Sequence, residues 1–347
     1  MNRSLLVCWL STVLLAVARA VGAAPPLPAL GVDPSRITVS GISSGGYMAV
    51  QFHVVHSRVV RGVGVLAAGP FYCAQGSAWM ARYNCMQPGG WTPLPPVAVL
   101  IAATEVMAGG GQVDPVEGLR SARVWLFSGT RDDTVRPAVV EALRDYYRHW
   151  VADSQIAFVH DVPAGHAMVT TDAGNSCAVT AAPYINDCDF DAAGALLKHL
   201  YGPLSASSAT PGGELLHFDQ RPFVPAGPYA ISMDDEGLVY IPLACRAGGC
   251  RVHVAFHGCL QGRSQIGEQF AREGGYNRWA DTNRLIVLYP QAIARWGWGP
   301  WPWPTSFVYN PNGCWDWWGY TGATYATRYG PQVRAVDAML ERLAARP

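Results

Sequence analysis

Charged side chains are scarce in this sequence. Lysine, arginine, aspartate and glutamate make up 14% of its 347 residues, and the 25 basic and 25 acidic residues leave no net charge. An ordinary soluble protein carries about 25% charged residues. A neutral chain without a basic run lacks the charge by which proteins bind nucleic acid or an anionic membrane surface. We therefore expect neither kind of partner.

Long hydrophobic runs are also lacking. The apolar stretch from Leu5 to Val17 has about 13 residues, which is too short to span a bilayer. It follows Arg3 and precedes a stretch of small residues, the pattern of a secretory signal peptide. We predict that residues 1–24 are such a signal and that the protein is secreted, to the medium or to the periplasm. The expected cleavage site follows Ala20, Ala23 or Ala24.

The cysteines lack the CxxC or Cys/His spacing of metal ligands, so we predict no metal site. Of the nine cysteines, Cys8 lies in the predicted signal peptide, and eight remain in a chain bound for an oxidising compartment. We predict four disulfides, three between cysteines close in sequence and one over a long separation. The expected pairs are Cys73 with Cys85, Cys177 with Cys188, Cys245 with Cys250, and Cys259 with Cys314.

Apolar and aromatic residues are abundant instead. Half of the residues are hydrophobic, which predicts a packed globular body rather than disorder. Seven of the 13 tryptophans lie between Trp296 and Trp318, among glycines and prolines. Such a segment is unsuited to a helix or a central strand. We expect these indoles on loops, either packed down as a satellite core or exposed as a binding surface.

Short apolar strands alternate with helical patterns, which indicates a mostly parallel central sheet with helices on both faces. The segment 203–213, PLSASSATPGG, has the composition of a linker. The predicted strands are 36–40, 63–67, 97–102, 123–127, 156–162, 238–243, 251–256 and 285–289. The predicted helices are 45–56, 137–150, 189–201, 266–283 and 331–343.

A GxSxG pattern, Gly41 to Gly45, lies between a predicted strand and a predicted helix. A tight strand-to-helix turn exposes a serine hydroxyl at the edge of the sheet, and the flanking glycines let the backbone pass without a clash. Ser43 is therefore the candidate nucleophile. The alternative is a Gly/Ser-rich helix entry.

A serine nucleophile needs a base, and the base needs an acid that fixes its tautomer. In α/β-hydrolases the chain order is serine, acid, histidine. Asp132 follows a predicted strand and is the candidate acid, with Asp133 as the alternative. His166 follows the next strand and is the candidate base.

The oxyanion of ester hydrolysis needs two backbone donors. One is expected from Ser44, the residue after the nucleophile. The other ordinarily comes from a His-Gly loop upstream of the serine, but here His257-Gly258 occurs after the linker. We therefore predict a circularly permuted α/β-hydrolase fold, with residues 25–347 as one catalytic domain. We interpret His257 as structural.

Six segments carry a family resemblance. They are GISSGGYMA at Gly41, GTRDDTV at Gly129, GHAM at Gly165, VHVAFHGC at Val252, LIVLYPQA at Leu285 and NGCWDWWGY at Asn312. Together they resemble the secreted poly(3-hydroxybutyrate) depolymerases, specifically the single-domain group with a circularly permuted α/β-hydrolase fold. The resemblance implies Ser43 as nucleophile, Asp132 as acid and His166 as base, with the amides of Ser44 and Cys259 as oxyanion hole.

The resemblance also concerns the Trp-rich segment. It implies that the Cys259–Cys314 disulfide ties the oxyanion loop to this segment. Trp318 matches the position at which the family places an indole beside the crevice to hold the acyl chain, and Trp315 and Trp317 are neighbouring candidates.

We thus expect an extracellular, monomeric serine esterase without metal or organic cofactor. Its substrate would be poly(3-hydroxybutyrate) or its oligomers, cleaved through an acyl-enzyme. An alternative is a feruloyl or acetylxylan esterase of the same chemical class. An alternative of another class is a secreted, non-catalytic polymer-binding protein, against which the complete triad argues.

Overall fold

The computed structural model describes residues 23–298 and 307–346, with the backbone alone at the inner ends of these two ranges. Residues 1–22 of the predicted signal peptide lie outside the described residues, as do Trp301 and Trp303.

The described residues form strands and α-helices that alternate along the chain. The strands are β1 (Ile37–Ile42), β2 (Val60–Leu66), β3 (Arg123–Phe127), β4 (Ile156–Val159), β5 (Met168–Thr170), β6 (Asn175–Ser176), β7 (Ile185–Asp187), β8 (Glu214–Asp219), β9 (Glu236–Ile241), β10 (Arg251–Phe256), β11 (Leu285–Tyr289), β12 (Arg295–Trp298) and β13 (Phe307–Asn310). The helices are α1 (Ser44–Val55), α2 (Ala78–Tyr83), α3 (Val97–Gly109), α4 (Pro137–Tyr147), α5 (Ala192–Tyr201), α6 (Arg263–Ile266), α7 (Gln269–Glu273), α8 (Tyr276–Thr282) and α9 (Pro331–Ala344).

The central sheet has eight strands in the order β4-β3-β2-β1-β10-β11-β9-β8. The strands from β4 to β11 are parallel, and β9 and β8 extend the sheet in antiparallel fashion. β1 pairs with β10 from Ile37 opposite Val252 to Gly41 opposite Phe256. Strands from before and after the segment 203–213 therefore share one sheet, and the predicted permuted α/β-hydrolase fold is confirmed.

Alternate residues of each strand face two helical layers. In β3, Val124 and Leu126 belong to one buried cluster, whereas Trp125 and Phe127 belong to another. The first cluster contains residues of α1, α4 and α9, and the second contains residues of α5 and α8. Successive side chains of a strand point to opposite faces of the sheet, and both faces are covered by helices. The parallel strands therefore need apolar residues at every position and appear in the sequence as continuous apolar runs.

Two predicted elements differ from the structure. Residues 97–102, predicted as a strand, begin helix α3. A short apolar run without alternation fits a strand or a helix equally well, and it follows Pro96 at the helix N-cap. The predicted helix 266–283 is divided into α6, α7 and α8. Gly267 and Gly275 have φ angles of 62° and 87°, a left-handed conformation that interrupts a helix.

The expectation that all of the clustered indoles lie on loops is wrong for two of them. Trp296 and Trp298 lie in β12, which pairs with β13 in an antiparallel ribbon outside the central sheet. Glycine is unsuited to a central strand, which has a neighbour on each side. Gly297 is tolerated here because β12 pairs with one strand, β13, in this ribbon.

The predicted linker is an ordered connection. Its backbone N–H groups donate to groups on or next to α8: Ser208 to the carbonyl of Arg278, Ser205 to Asn283 and Gly213 to Asp281.

Four disulfides occur in the described part of the chain. They join Cys73 to Cys85, Cys177 to Cys188, Cys245 to Cys250, and Cys259 to Cys314, the pairs expected from the sequence.

The buried carboxylate of Asp316 organises the turn that follows Cys314. Its Oδ1 accepts hydrogen bonds from the amides of Trp318, Gly319 and Tyr320, and its Oδ2 accepts from the amide and hydroxyl of Thr321. Burial raises the pKa of Asp316, and the donors act in the opposite direction. The backbone of this turn thus depends on a single acceptor side chain.

We predict that Asp316→Asn lowers the free energy of unfolding by about 2–3 kcal/mol, because an amide NH2 would replace an oxygen that accepts from buried donors. Chemical denaturation of the two proteins measures this difference. The exposed Asp161 provides the matched control, since Asp161→Asn should leave stability within about 0.5 kcal/mol. Equal stability of the Asp316 variant and the parent would contradict the assignment.

Candidate active site

Ser43 lies on a sharp turn between β1 and α1. Its backbone has φ 55° and ψ −125°, an unfavourable conformation for a residue with a side chain. The flanking glycines make the turn possible. A Cβ on Gly41 would lie 2.2 Å from the carbonyl oxygen of Gly45, and a Cβ on Gly45 would lie 2.3 Å from those of Phe256 and His257. The GxSxG pattern is therefore required by close backbone contacts on both sides of the serine.

His166 and Asp132 form a buried pair at the carboxyl ends of the strands. The Nδ1 atom of His166 lies 2.8 Å from Oδ2 of Asp132. The other carboxylate oxygen accepts from the amides of Thr134 and Val135, each at 2.9 Å. Because the carboxylate accepts at Nδ1, the proton of the neutral ring resides there and Nε2 is left as the basic nitrogen.

The structure distinguishes the two aspartates that the sequence left open. Asp132 is 3% exposed and contacts His166, whereas Asp133 is exposed and its carbonyl accepts from Gln87. The geometry thus pairs the histidine with Asp132.

Two adjoining cavities, of about 230 and 200 Å³, meet at Ser43. Trp317 and Trp318 line the larger cavity, and His166 lines the smaller one. The residues shared by both are Ser43, Arg82, Met86, Cys259 and Asn312. A ligand in this crevice can therefore extend to both sides of the serine while its centre lies beside the histidine.

The two expected oxyanion donors line the larger cavity. Ser44 begins α1, so its N–H has no acceptor within the helix. Cys259 follows β10, and its amide donates to no backbone carbonyl of the described residues. The loop around it is held by the Gly258 amide, which donates to Gln261, and by the Leu260 amide, which donates to the carbonyl of Asn312. Both residues expected to be donors thus line the same cavity as Ser43.

His257 supports this loop from below. The amide of Ala292 donates to its Nε2 at 3.0 Å, so Nδ1 carries the proton and faces the carbonyl of Gly258 at 2.7 Å. Burial lowers the pKa of His257 to about 4, which keeps the ring neutral.

Within residues 23–298 and 307–346, no group of three or more His, Cys, Asp or Glu residues is placed to hold a metal ion. None of the helices in these ranges is long and apolar enough to cross a membrane.

The three candidate tryptophans have different positions. Trp317 stacks on Tyr47 with ring centroids 3.7 Å apart, and Trp318 lies beside it at the cavity wall. Trp315 corrects the expectation, because it is fully buried, packs edge-on against Phe256 and lines neither cavity. The Asp316 turn separates the buried indole from the two that reach the crevice.

Sequence reasoning missed several residues of the crevice. Tyr47 lies one helical turn after Ser43, and this spacing could have indicated that it supports the site. Its hydroxyl donates to the carbonyl of Cys85, which fixes the ring under Trp317. Arg82 and Met86 had no such signal, because they are brought to the crevice by the Cys73–Cys85 region and belong to no motif.

Comparison with family models gave no match. Among curated proteins, the chain is 44% identical over 332 residues to a poly(3-hydroxybutyrate) depolymerase of Delftia acidovorans, covering 94% of this chain. It spans 63% of the length of that relative. It is 37% identical over 350 residues to a polyhydroxybutyrate depolymerase of Talaromyces funiculosus, covering 99% of this chain and 98% of the relative.

Solved structures agree with these relatives. The PHB depolymerase from Penicillium funiculosum superposes with a TM-score of 0.82 at 35% identity, covering 92% of this chain and 98% of that one. A serine-to-alanine PHB depolymerase complexed with an R3HB trimer gives the same values. Since similarity extends over nearly the whole of both chains in the Talaromyces relative, this protein belongs to the poly(3-hydroxybutyrate) depolymerase family.

Proposed function

We propose that this protein is a secreted serine esterase that hydrolyses poly(3-hydroxybutyrate) or its oligomers through an acyl-enzyme. The observation that carries the proposal is the position of Ser43, at the junction of two cavities and beside the buried His166–Asp132 pair. The family membership of the chain and the R3HB trimer bound by a related depolymerase support the choice of substrate.

The residues of the site would carry out the reaction in two steps. Ser43 Oγ attacks the ester carbonyl while Nε2 of His166 takes its proton, and Asp132 stabilises the resulting imidazolium. The amides of Ser44 and Cys259 donate to the tetrahedral oxyanion. The ester C–O bond then breaks, and His166 returns the proton to the leaving hydroxyl. Water repeats the sequence on the acyl-enzyme and releases a carboxylic acid.

Exposed aromatic side chains on the crevice wall and in neighbouring segments of the chain support action on the water-insoluble polymer. Helix α2 contributes Ala78, Ala81 and Arg82 to the cavity wall and carries Trp79, which is 63% exposed. Trp91 is fully exposed, and Tyr309, which lines the cavity, is 61% exposed. Large exposed apolar side chains near a cavity are typical of binding surfaces. We infer that these rings adsorb to the polyester surface while the crevice takes one chain.

Four disulfides support folding in an oxidising compartment. We therefore keep residues 1–24 as a removable export signal, with the medium or the periplasm as destination. We further propose that residues 25–347 form one catalytic unit that acts as a monomer.

The first prediction tests the nucleophile. Purified protein should release 3-hydroxybutyrate and its dimer from polyester granules, and Ser43→Ala should lower the rate by about 10⁴-fold or more. Product analysis by chromatography measures both. The exposed Ser121 gives the control, because Ser121→Ala should retain full activity. Unchanged aryl ester hydrolysis by the Ser43 variant would refute the assignment, and release of ferulate or acetate from arabinoxylan in place of 3-hydroxybutyrate would refute the substrate.

A second prediction compares the neighbouring aspartates. Asp132→Asn should lower kcat by roughly 10³–10⁴-fold, because the amide no longer holds His166 in the basic tautomer. Asp133→Asn should stay within about twofold of the parent, since surface substitutions away from such contacts have small effects. Steady-state kinetics on a soluble ester measure kcat of both variants. An equal loss of kcat in the two variants would contradict the assignment of Asp132 as the acid that pairs with His166.

A third prediction separates adsorption from chemistry. Trp79→Ala and Trp91→Ala should weaken binding to granules severalfold because apolar contact area is lost, while kcat/KM for a soluble trimer stays unchanged. Sedimentation of protein with granules measures the binding. Tyr329→Ala, which removes an exposed aromatic ring outside the cavity walls, should bind normally. Parallel loss of trimer hydrolysis would show that these rings have a structural role instead.

A further inference from the structure

Arg82 occupies an unusual place in the catalytic crevice. It lies on α2, is exposed to solvent, and lines both cavities beside Ser43. Among the described residues that line the cavities, it is the side chain that carries a full charge at neutral pH. A single cation therefore stands at a junction whose remaining walls are neutral.

The guanidinium of Arg82 is available to a ligand. Within the part of the chain that the structure describes, it makes no ion pair, side-chain hydrogen bond or cation–π contact. Several other surface arginines are engaged: Arg148 contacts Asp153 at 2.8 Å, and Arg221 contacts Asp219 at 2.8 Å. Among the described residues, no group takes up the N–H donors of Arg82, which lies at the junction of the two cavities where a substrate ester would lie.

The chemistry of the substrate suggests what this cation would meet. The interior of a polyester chain is neutral and gains little from a guanidinium. A soluble oligomer of a 3-hydroxy acid ends in a carboxylate, and every hydrolytic step creates another. Arginine presents paired N–H donors that match a carboxylate, and such charge-assisted bonds are stronger than neutral ones.

We propose that Arg82 binds the free carboxylate end of 3-hydroxy acid oligomers and so makes the enzyme favour short chains with a free acid end. The inference rests on the proposed esterase function and specifies the substrate of the same site. The carboxylate concerned belongs to the leaving fragment, which keeps its acid end while its ester oxygen departs as a hydroxyl. It is present in the first enzyme–substrate complex, so the contact lowers KM.

The experiment uses the 3-hydroxybutyrate trimer as free acid and as methyl ester. The parent enzyme should hydrolyse the free acid with a kcat/KM about tenfold higher, which is the worth of one charge-assisted contact. Arg82→Gln should remove this preference by raising KM for the free acid about tenfold. KM for the methyl ester, which lacks the carboxylate, should change far less. Added salt should shrink the preference of the parent, because the contact is solvent-exposed.

The matched control is Arg120→Gln. Arg120 is also exposed, but it precedes the amino end of β3, at the opposite edge of the sheet from the catalytic loops. This variant should keep the preference of the parent. Thermal unfolding of both variants checks that each is folded.

The outcomes separate the two proposals. An identical acid-to-ester ratio in the parent and Arg82→Gln would overturn the role of Arg82 and leave the esterase function standing. An equal loss on both trimers would likewise overturn it, since it would indicate a structural role. Failure of the parent to hydrolyse granules or either trimer would overturn the proposed function itself.

Discussion

The parallel pairing of β1 with β10 is the interaction on which the rest of the site depends. β1 delivers Ser43, and β10 delivers the loop that contains Cys259. The two are pressed together because Gly45, in the first turn of α1, lies against the carbonyls of Phe256 and His257 with no space for a Cβ. The proposed nucleophile and the proposed oxyanion donors are therefore positioned by one backbone contact between distant parts of the chain.

A second level of support surrounds this contact. The Cys259–Cys314 disulfide connects the oxyanion loop to the Trp-rich turn, whose backbone is held by the buried carboxylate of Asp316. Gln51 of α1 donates to the carbonyl of Asp316, so the helix that follows Ser43 also holds the wall of the crevice. Ser43 and the indoles of the crevice wall are thereby held by the same set of contacts. Such supporting contacts keep a site precise even where its residues lie on loops.

The catalytic candidates could be predicted because each follows a strand that a short apolar run in the sequence reveals. The chain order of serine, acid and histidine is a second signal. The permutation could be inferred since His257-Gly258 occurs after the linker. Trp315 was misplaced because hydrogen bonds to Asp316, invisible in the sequence, decide which indoles reach the crevice. Residues 97–102 were wrongly predicted as a strand because a short, continuous apolar run has no periodicity that distinguishes a strand from a helix.

The two ends of the described chain lie side by side. The amides of Leu30 and Gly31 donate to the carbonyls of Leu343 and Ala345, and Arg342 donates to the carbonyl of Leu27. The chain is thus nearly a closed ring, and opening this ring within the segment 203–213 would part no strand pair. In an enzyme joined at its ends and opened in the segment 203–213, the loop of Cys259 would precede Ser43 in the chain, and the strands would form the same sheet. The packing of the sheet therefore does not determine which half of the chain is synthesised first.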